Sequence, residues 1–334
     1  MKNLLSYSEF LNERFIEQET PQLQIVMRGN IGLTSKAEDF TTEAMSKLYD
    51  KYIHLVLVKG DNEYNRNPKI PRNRIYNELK TDTPILNFTS NPHKFMEKMT
   101  AKVFNKIEDI QISADKIKFY KEFDKKDFVP NCVYRIDDVE MLNTPIIAKP
   151  AEGYSAQGIE KFDTYEEAIN SKMKFDVWQE AKELDREFRA FVMNGKIIHI
   201  AERITNSKHD MTVGKKDADE KIDLVYIDQD LKGFPLLKEI EKIKEELGKV
   251  VKLEFYNIDL MLDREGKLWV PEINGAPGIG PSMFPVIYEE WVKMAFNQKI
   301  SMDAKKELDE IANHHRKMMK QTYPKEYKGS LHTI

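Results

Sequence analysis

Cysteine is almost absent from this chain, since Cys132 is the only one among 334 residues. A single cysteine excludes any disulfide within the chain and is typical of proteins in a reducing cytosol. The seven histidines are scattered except for His314-His315, which argues against a zinc site. We therefore expect a cytoplasmic protein without internal disulfides or structural zinc.

Long apolar runs are also missing. No stretch approaches the roughly 20 residues that a membrane-spanning helix needs, and the N-terminus lacks an apolar signal core. The net charge is −4 and the isoelectric point is near 6.1, so the chain lacks the overall basic character of nucleic-acid-binding proteins. Its length and its 41% hydrophobic and 32% charged residues predict a soluble protein with two domains or three lobes.

Strand and helix patterns alternate between residues 20 and 110. Apolar runs at 23–27 and 53–58 predict strands, whereas 36–52 and 93–107 have helical patterns. This alternation indicates a small α/β lobe.

Residues 255–274 predict a β-hairpin, because two runs with strand-like alternation flank the turn Glu265-Gly266. Counting outward from this turn places Asp259 opposite Glu272, with Asn274 beside Glu272 on the same face. Two carboxylates directly across a ladder, roughly 5 Å apart, repel each other and destabilise the sheet. A divalent cation reverses that effect, and two carboxylates with an amide oxygen suit Mg²⁺.

The same register places Met261 opposite Val270, an apolar pair beside the acidic end of the hairpin. A nucleotide fits this surface if its base lies on the apolar pair and its phosphates on the metal. The alternative is an ordinary surface hairpin with one acidic face, and the hairpin alone does not decide between the two.

Lys149 lies at the end of a predicted strand, 145–150, and a loop of small residues follows. Main-chain N–H groups in such a loop can hold phosphate oxygens while the lysine supplies a point charge. The ordinary alternative is a solvated lysine before a turn, and Lys116, at the start of a helix upstream, is a weaker signal. The candidate phosphate-binding residues of the loop are Gly153, Ser155, Gln157 and Gly158.

Two further segments carry candidate nucleotide contacts. The stretch Trp178–Lys182 runs from a strand into a hinge whose main-chain groups could pair with a purine edge. Asn194-Gly195 predicts a second hairpin, with Glu187 and Arg189 on one face, suited to ribose hydroxyls and to phosphate or carboxylate. Simple alternation puts Arg203 on the opposite face from Glu187, so either a bulge intervenes or one of these roles is wrong. The alternative is a charged outer face of an antiparallel sheet.

In their order along the chain, these signals resemble the ATP-grasp superfamily, especially the branch containing the ribosomal-protein-modifying glutamate ligase and D-alanine–D-alanine ligase. The resemblance runs from about residue 115 to residue 281, half of the chain. Each motif alone is nonspecific, but the ordered combination is specific. The matching motifs are Lys149-Pro150, Gln179-Glu180, Glu187-Phe188-Arg189, Asp259 and Glu272-Ile273-Asn274-Gly275-Ala276-Pro277-Gly278-Ile279.

This resemblance implies an α/β (α+β) ATP-grasp fold that binds ATP with one or two Mg²⁺ (or Mn²⁺) ions. It implies two phosphate-binding lysines, an adenine-binding hinge, an acidic ribose-binding residue, three metal ligands and an arginine near the transferred phosphoryl group. Those residues are, in that order, Lys116 and Lys149, then Glu180, Ala181 and Lys182, then Glu187, then Asp259, Glu272 and Asn274, and finally Arg203. We expect Arg189 to act with Arg203 in catalysis.

Three departures from the family pattern stand out. Ala156 replaces a frequent central glycine in the phosphate loop, which reduces the freedom of its backbone. Asn257 stands two residues before Asp259, where D-alanine ligases carry a catalytic arginine, and this argues against that subfamily. The polar loop 206–220 is difficult to align.

We expect four parts along the chain, the third of them in two lobes. They are an N-terminal amphipathic segment (1–20), an N-terminal α/β domain (21–112), an ATP-grasp domain (113–300, with a smaller lobe at 113–181 and a larger lobe at 182–300) and a C-terminal helical extension (301–334). The first thirteen residues resemble the N-termini of many proteins of large tailed bacteriophages, so a phage origin, with the host cytoplasm as the location, is a working hypothesis.

The resemblance implies an ADP-forming ligase that joins a carboxylate to an amine through an acyl phosphate. Its expected partners are small-molecule or peptide substrates. No membrane partner is expected, the charge argues against duplex nucleic acid, and homo-oligomerisation is left open. Two alternatives remain: a nucleotide-binding regulatory protein on a degenerate fold, and a kinase that stops at a phosphorylated product.

Overall fold

The computed structural model describes residues 21–28, 48, 51–58, 79–88, 99–152, 158–205, 224–228 and 230–322. Within them the chain forms three separate sheets, and strands and α-helices are numbered here in chain order. The predicted N-terminal segment and the loop 206–220 lie outside the described residues. No helix in the described part is both long and apolar enough to span a membrane.

The first sheet is parallel, with the strand order β2-β1-β3-β4. The helix predicted at 93–107 is wrong over its described part, because β4 occupies the middle of residues 99–106. Phe104 of β4 is fully buried and packs edge-on against Trp291, so tertiary packing decides this segment. The strands are β1 (Leu23–Arg28), β2 (Ile53–Val58), β3 (Ile85–Phe88) and β4 (Val103–Phe104).

The second sheet is antiparallel, with the order β5-β8-β6-β7, and two helices precede it. The side chain of Asp115 accepts hydrogen bonds from Ile117 N and Lys118 N and so caps the second helix, whereas Ser113 lies within the first. The elements are α1 (Ile107–Ala114), α2 (Lys116–Glu122), β5 (Cys132–Val133), a 3-10 helix (Ile136–Met141), β6 (Ile146–Lys149), β7 (Glu160–Phe162), α3 (Tyr165–Ile169) and β8 (Val177–Glu180).

The third sheet is antiparallel and five-stranded, with the order β11-β10-β9-β12-β13. The predicted hairpin turns at Asn194-Gly195 and Glu265-Gly266 both join neighbouring strands of this sheet. Its elements are β9 (Leu184–Met193), β10 (Lys196–Thr205), β11 (Leu224–Asp228), a 3-10 helix (Leu231–Gly233), α4 (Leu237–Gly248), β12 (Phe255–Asp263) and β13 (Leu268–Asn274), followed by α5 (Phe284–Phe296) and α6 (Met302–Thr322).

The two faces of the third sheet differ in character. One face carries Phe188, Ala190 and Ile258, which are buried in a core shared with α2 and α4. On the other face Phe191 and Phe255 pack with the first sheet and with α5 at one end. The rest of that second face carries charged side chains, and this is where the candidate site lies.

Candidate active site

A row of paired residues crosses the third sheet on its charged face. Neighbouring strands are about 4.8 Å apart, so adjacent members of such a row can touch. From β13 to β11 the row contains Glu272, Asp259, Arg189, Ala201 and Asp228. The row therefore brings together charged side chains from four of the five strands, with Ala201 as its one uncharged member.

Asp259 is buried, and Glu272 lies directly opposite it, as predicted. Burial raises the pKa of Asp259, Arg189 opposes the shift, Glu272 adds to it, and the net change is upward. Its carboxylate accepts hydrogen bonds from Arg189 Nε at 2.8 Å, Asn257 Nδ2 at 2.5 Å and Asn274 Nδ2 at 3.3 Å. The charged form of Asp259 is disfavoured, and a cation bound beside it would stabilise that form.

The predicted pairing of Met261 with Val270 is wrong, because the register shifts beyond Asp259 and Met261 lies opposite Trp269. Pro271 has no N–H to give to the ladder, which is why a proline inside a strand accompanies a bulge. Val270 is consequently buried in the core on the opposite face, where it packs in the same cluster as Leu260. Val270 therefore does not lie on the surface expected to hold the base.

Glu187 and Arg203 lie opposite each other on β9 and β10 and form an ion pair. A register shift between Ile197 and His199 moves Arg203 onto this face, so the bulge required by the sequence is present. Burial raises the pKa of Glu187, Arg203 opposes that shift and Asp259 adds to it, and the net change is upward. Both arginines of the predicted site thus share the face of Asp259.

Lys116 and Lys149 approach the hairpin from α2 and from the second sheet. Lys116 Nζ lies 3.5 Å from Glu272 Oε2, and the buried Lys149 donates to the Tyr120 hydroxyl at 2.8 Å. Burial lowers the pKa of Lys149 to about 8, the charge of Glu272 opposes this shift, and that of Lys116 adds to it. Two amines beside one carboxylate leave a positive charge that suits a phosphate.

The predicted hinge offers fewer main-chain donors than expected. The Glu180 N–H donates to Asn131 O at 3.0 Å, and the Ala181 N–H donates to Pro145 O at 2.9 Å. The buried Glu180 carboxylate also accepts from Lys182 Nζ at 2.8 Å. A purine edge at this hinge must therefore meet main-chain groups other than these two N–H groups.

Three residues of the predicted phosphate loop, Gly153, Ser155 and Gln157, lie outside the described residues. Gly158 follows them with a φ of +72°, a left-handed conformation that favours glycine. Its role in phosphate binding stays a prediction.

Residues 111–301 match the family model described as D-ala D-ala ligase C-terminus, which is more than half of the chain. The chain belongs to this family. No curated protein sequence matches the chain significantly.

Solved structures similar to this ligase-family chain share its fold at low sequence identity. D-alanine–D-alanine ligase from Bacillus anthracis is 15% identical with a TM-score of 0.55, covering 86% of this chain and 99% of that chain. N5-carboxyaminoimidazole synthetase from Staphylococcus aureus, complexed with ADP, is 12% identical with a TM-score of 0.56, covering 84% and 79%. A RiPP-associated ATP-grasp ligase from Chryseobacterium gregarium is 16% identical with a TM-score of 0.51, covering 84% and 100%.

These likenesses confirm the predicted ATP-grasp fold. The family confirms the predicted enzyme class, an ATP-dependent carbon–nitrogen ligase that forms ADP.

The donor set of this ATP-grasp ligase suits a magnesium ion. Asp259 and Glu272 supply hard carboxylate oxygens on facing strands, and Asn274 supplies an amide beside them. Asn257 Oδ1 is buried nearby and has no hydrogen-bond partner among the described residues. In the described part of the chain no group of three His, Cys, Asp or Glu side chains could hold a metal. A magnesium ion at the Asp259–Glu272 pair would therefore also need an amide oxygen and substrate oxygens.

Trp269 lies beside the candidate site and is not among the residues predicted from the sequence. It lies opposite Met261, its ring lies 4.4 Å from Lys182 Nζ, and its Nε1 donates to Asp263 at 2.7 Å. The signal that could have found it is Pro271, since a proline within a strand indicates a bulge that moves the pairing by one residue. Met261 and Trp269 replace the expected apolar pair of this ligase.

Proposed function

We propose that this ligase joins a carboxylate to an amine with Mg²⁺ and ATP, through an acyl phosphate. The observation that carries the proposal is the convergence of the Asp259–Glu272 pair with Lys116 and Arg189 on one sheet face. Such a mixture of fixed cations and metal-type ligands can bind and stabilise phosphoryl oxygens.

The nucleotide would extend along this face. Lys116 and Lys149 would hold phosphate oxygens, and Glu187 would accept hydrogen bonds from the ribose. Met261 and Trp269 would provide the apolar surface for adenine, close to the hinge. Met261 lies between Trp269 and Glu187 in the third sheet, which supports the placement of the base beside the ribose.

The reacting phosphoryl group would lie over the centre of the row. Asp259, Glu272 and Asn274 would hold Mg²⁺, which neutralises charge on the phosphoryl oxygens when bound. Arg203 and Arg189 would stabilise the charge that develops during transfer. Each arginine already pairs with a carboxylate of the site, which holds it in place.

The chemistry needs no nucleophilic side chain. A substrate carboxylate oxygen attacks the γ-phosphorus, and the bond to ADP breaks. The amine then attacks the acyl carbon, loses a proton and expels phosphate, which leaves an amide. The protein holds the groups in line and excludes water from the acyl phosphate.

Glu272→Gln tests this proposal, with Glu265→Gln as its matched control. Glu272 lies opposite Asp259, whereas Glu265 is exposed at the tip of the same hairpin. The assay measures Mg²⁺-dependent formation of ADP from ATP in the presence of a mixture of amino acids, peptides and amines. We expect this activity to be lost in the first variant and kept in the second. Unchanged turnover in Glu272→Gln would contradict the proposed role of Glu272 as a metal ligand.

Hydroxylamine separates the competing activities. A ligase that forms an acyl phosphate yields a hydroxamate when hydroxylamine replaces the amine, and a regulatory protein yields none. A kinase releases ADP without any amine and leaves a stable phosphorylated product. Peptides belong in the screen because the Chryseobacterium gregarium neighbour was solved with a leader and core peptide.

We also propose the division into 21–112, 113–181, 182–300 and 301–334. One sheet lies in each of the first three parts, which supports the division. Limited proteolysis followed by mass spectrometry tests it, because cleavage should concentrate between the parts.

A further inference from the structure

Asn105 lies between the first sheet and the third. It follows β4, is fully buried, and has a φ of 57°, in the left-handed region. A buried asparagine in this conformation has a cost that its contacts must offset.

All polar groups of Asn105 are hydrogen-bonded. The Phe255 N–H donates to its Oδ1 at 2.9 Å, and its Nδ2 donates to Phe255 O at 2.6 Å and to Gly275 O at 3.2 Å. Its main-chain N–H donates to Glu254 Oε2 at 2.7 Å, and its carbonyl accepts from Asn87 Nδ2 at 3.1 Å. The Asn105 carboxamide therefore bonds to both main-chain groups of Phe255, as a residue on a neighbouring strand would.

The Asn105 carboxamide bonds to residues at the two ends of the β12–β13 hairpin, which carries the proposed metal ligands. Phe255 begins β12, and Gly275 directly follows Asn274 at the end of β13. β13 is an edge strand of its sheet, so within the described residues no further strand pairs with its outer side. Asn105 bridges the open end of the hairpin by bonding to both strands. Its partner Gly275 is one residue from Asn274, and its partner Phe255 is two residues from Asn257.

We infer that Asn105 is a positioning residue for the metal ligands of the hairpin, an inference that rests on the proposed function. It sets the spacing of β12 and β13 where Asp259 and Asn274 must meet one ion. Groups that hydrogen-bond directly to metal ligands typically contribute about 10–100-fold to metal affinity. Asn105 bonds to Gly275, beside Asn274, so we expect its contribution at the lower end of this range. Through Asn87 the same residue ties that spacing to the first sheet.

The variants Asn105→Gly and Asn105→Asp test the side-chain hydrogen bonds separately from the left-handed backbone conformation. Glycine keeps the left-handed φ at no steric cost and removes all three side-chain hydrogen bonds. Aspartate keeps the shape and the acceptor for the Phe255 N–H, but it sets a charge against two carbonyl oxygens. Val56→Ala, in the buried core of the first sheet, is the control for lost stability alone.

The experiment measures Mn²⁺ affinity by EPR in the presence of ADP, and ADP affinity by calorimetry in EDTA. For Asn105→Gly we expect about tenfold weaker Mn²⁺ binding, with metal-free ADP affinity unchanged within about twofold. Asn105→Asp should also bind Mn²⁺ more weakly than wild type. Val56→Ala should lower the melting temperature without changing Mn²⁺ affinity.

Wild-type Mn²⁺ affinity in both Asn105 variants would overturn the inference. So would an equal loss of Mn²⁺ affinity in Val56→Ala, since a loss of stability would then explain it. Glu272→Gln distinguishes this failure from that of the proposed function. If the wild type binds Mn²⁺ no better than Glu272→Gln does, the metal site itself is wrong, and the role of Asn105 is overturned with it.

Discussion

The Arg189 guanidinium lies against the Asp259 carboxylate, with Nε 2.8 Å from Oδ1 and Nη2 3.4 Å from Oδ2. The two residues are directly opposite on β9 and β12. Burial and the nearby Glu272 both raise the pKa of Asp259, and the guanidinium is the main opposing charge. Arg189 thus supplies the positive charge that balances the buried Asp259 carboxylate.

Arg189→Met should lower the free energy of unfolding at pH 7 by about 3 kcal/mol, because it leaves a buried carboxylate unpaired. Mg²⁺ should restore part of the loss, since the ion can take over the role of the guanidinium. Urea unfolding with and without Mg²⁺ measures both effects. Arg186→Met, which breaks the pair with Glu202, should be destabilised without responding to Mg²⁺; an equal response in both variants would contradict the prediction.

Lys149→Met should be more stable than the wild type at pH 7. The pKa of Lys149 is lowered to about 8 in the folded protein from its ordinary value of 10.5, so the unfolded chain binds more protons between these values. Wild-type stability should therefore rise relative to the variant, by up to about 3 kcal/mol, as pH increases from 8 to 10.5. Denaturant unfolding of both proteins across this range checks the sign, and a gap that stays constant with pH would rule the prediction out.

Asp228 ties the end of β11 to α6. Its carboxylate lies 3.1 Å from His199 Nε2 and accepts from Arg316 Nε at 2.9 Å. Burial raises the pKa of Asp228, but the hydrogen bonds and charges of His199 and Arg316 outweigh it and lower the pKa to about 2.

Asp228→Asn should therefore be less stable than the wild type by about 2 kcal/mol at pH 7. A depressed carboxyl pKa stabilises the fold above its ordinary value of 3.8, and the contribution is lost as pH falls toward 2. The gap between the two proteins should close over this interval in unfolding measurements. Asp230→Asn, which changes an exposed carboxylate two residues away, is the control that should show little effect.

Gly275→Ala should be destabilised by about 1–3 kcal/mol through overpacking. A Cβ at Gly275 would lie 2.8 Å from Ser113 Oγ and 3.3 Å from Leu253 Cδ1. Adding Ser113→Ala removes the nearer atom and should recover part of the loss, which a double-mutant cycle of thermal unfolding measures. Gly248→Ala meets no atom within 4 Å and should be near neutral. Strictly additive effects of the two substitutions would contradict the packing argument.

Much of the third sheet was predictable from local pattern. Alternation and the turns Asn194-Gly195 and Glu265-Gly266 predict both hairpins, and counting from the second turn places Asp259 opposite Glu272. Counting failed one pair further on, at Met261. A bulge shifts the register there, and its position depends on packing as well as on Pro271.

The hinge and β4 show where local pattern carries too little information. The N–H groups of Glu180 and Ala181 are taken by Asn131 and Pro145, partners from separate parts of the chain. The helix expected near residue 104 gave way to a strand, because the Phe104 side chain is buried against Trp291.

The order of the chemical groups can be read from the sequence alone: lysines, hinge, arginines, and then a carboxylate hairpin that ends in Glu272-Ile273-Asn274. Strand periodicity and turn chemistry are local, so they can be read without a fold. Which of these groups meet depends on the tertiary structure. The bulge that turns Arg203 toward Glu187, and the bond of Asn105 to Phe255 across 150 residues, depend on the packing of distant elements.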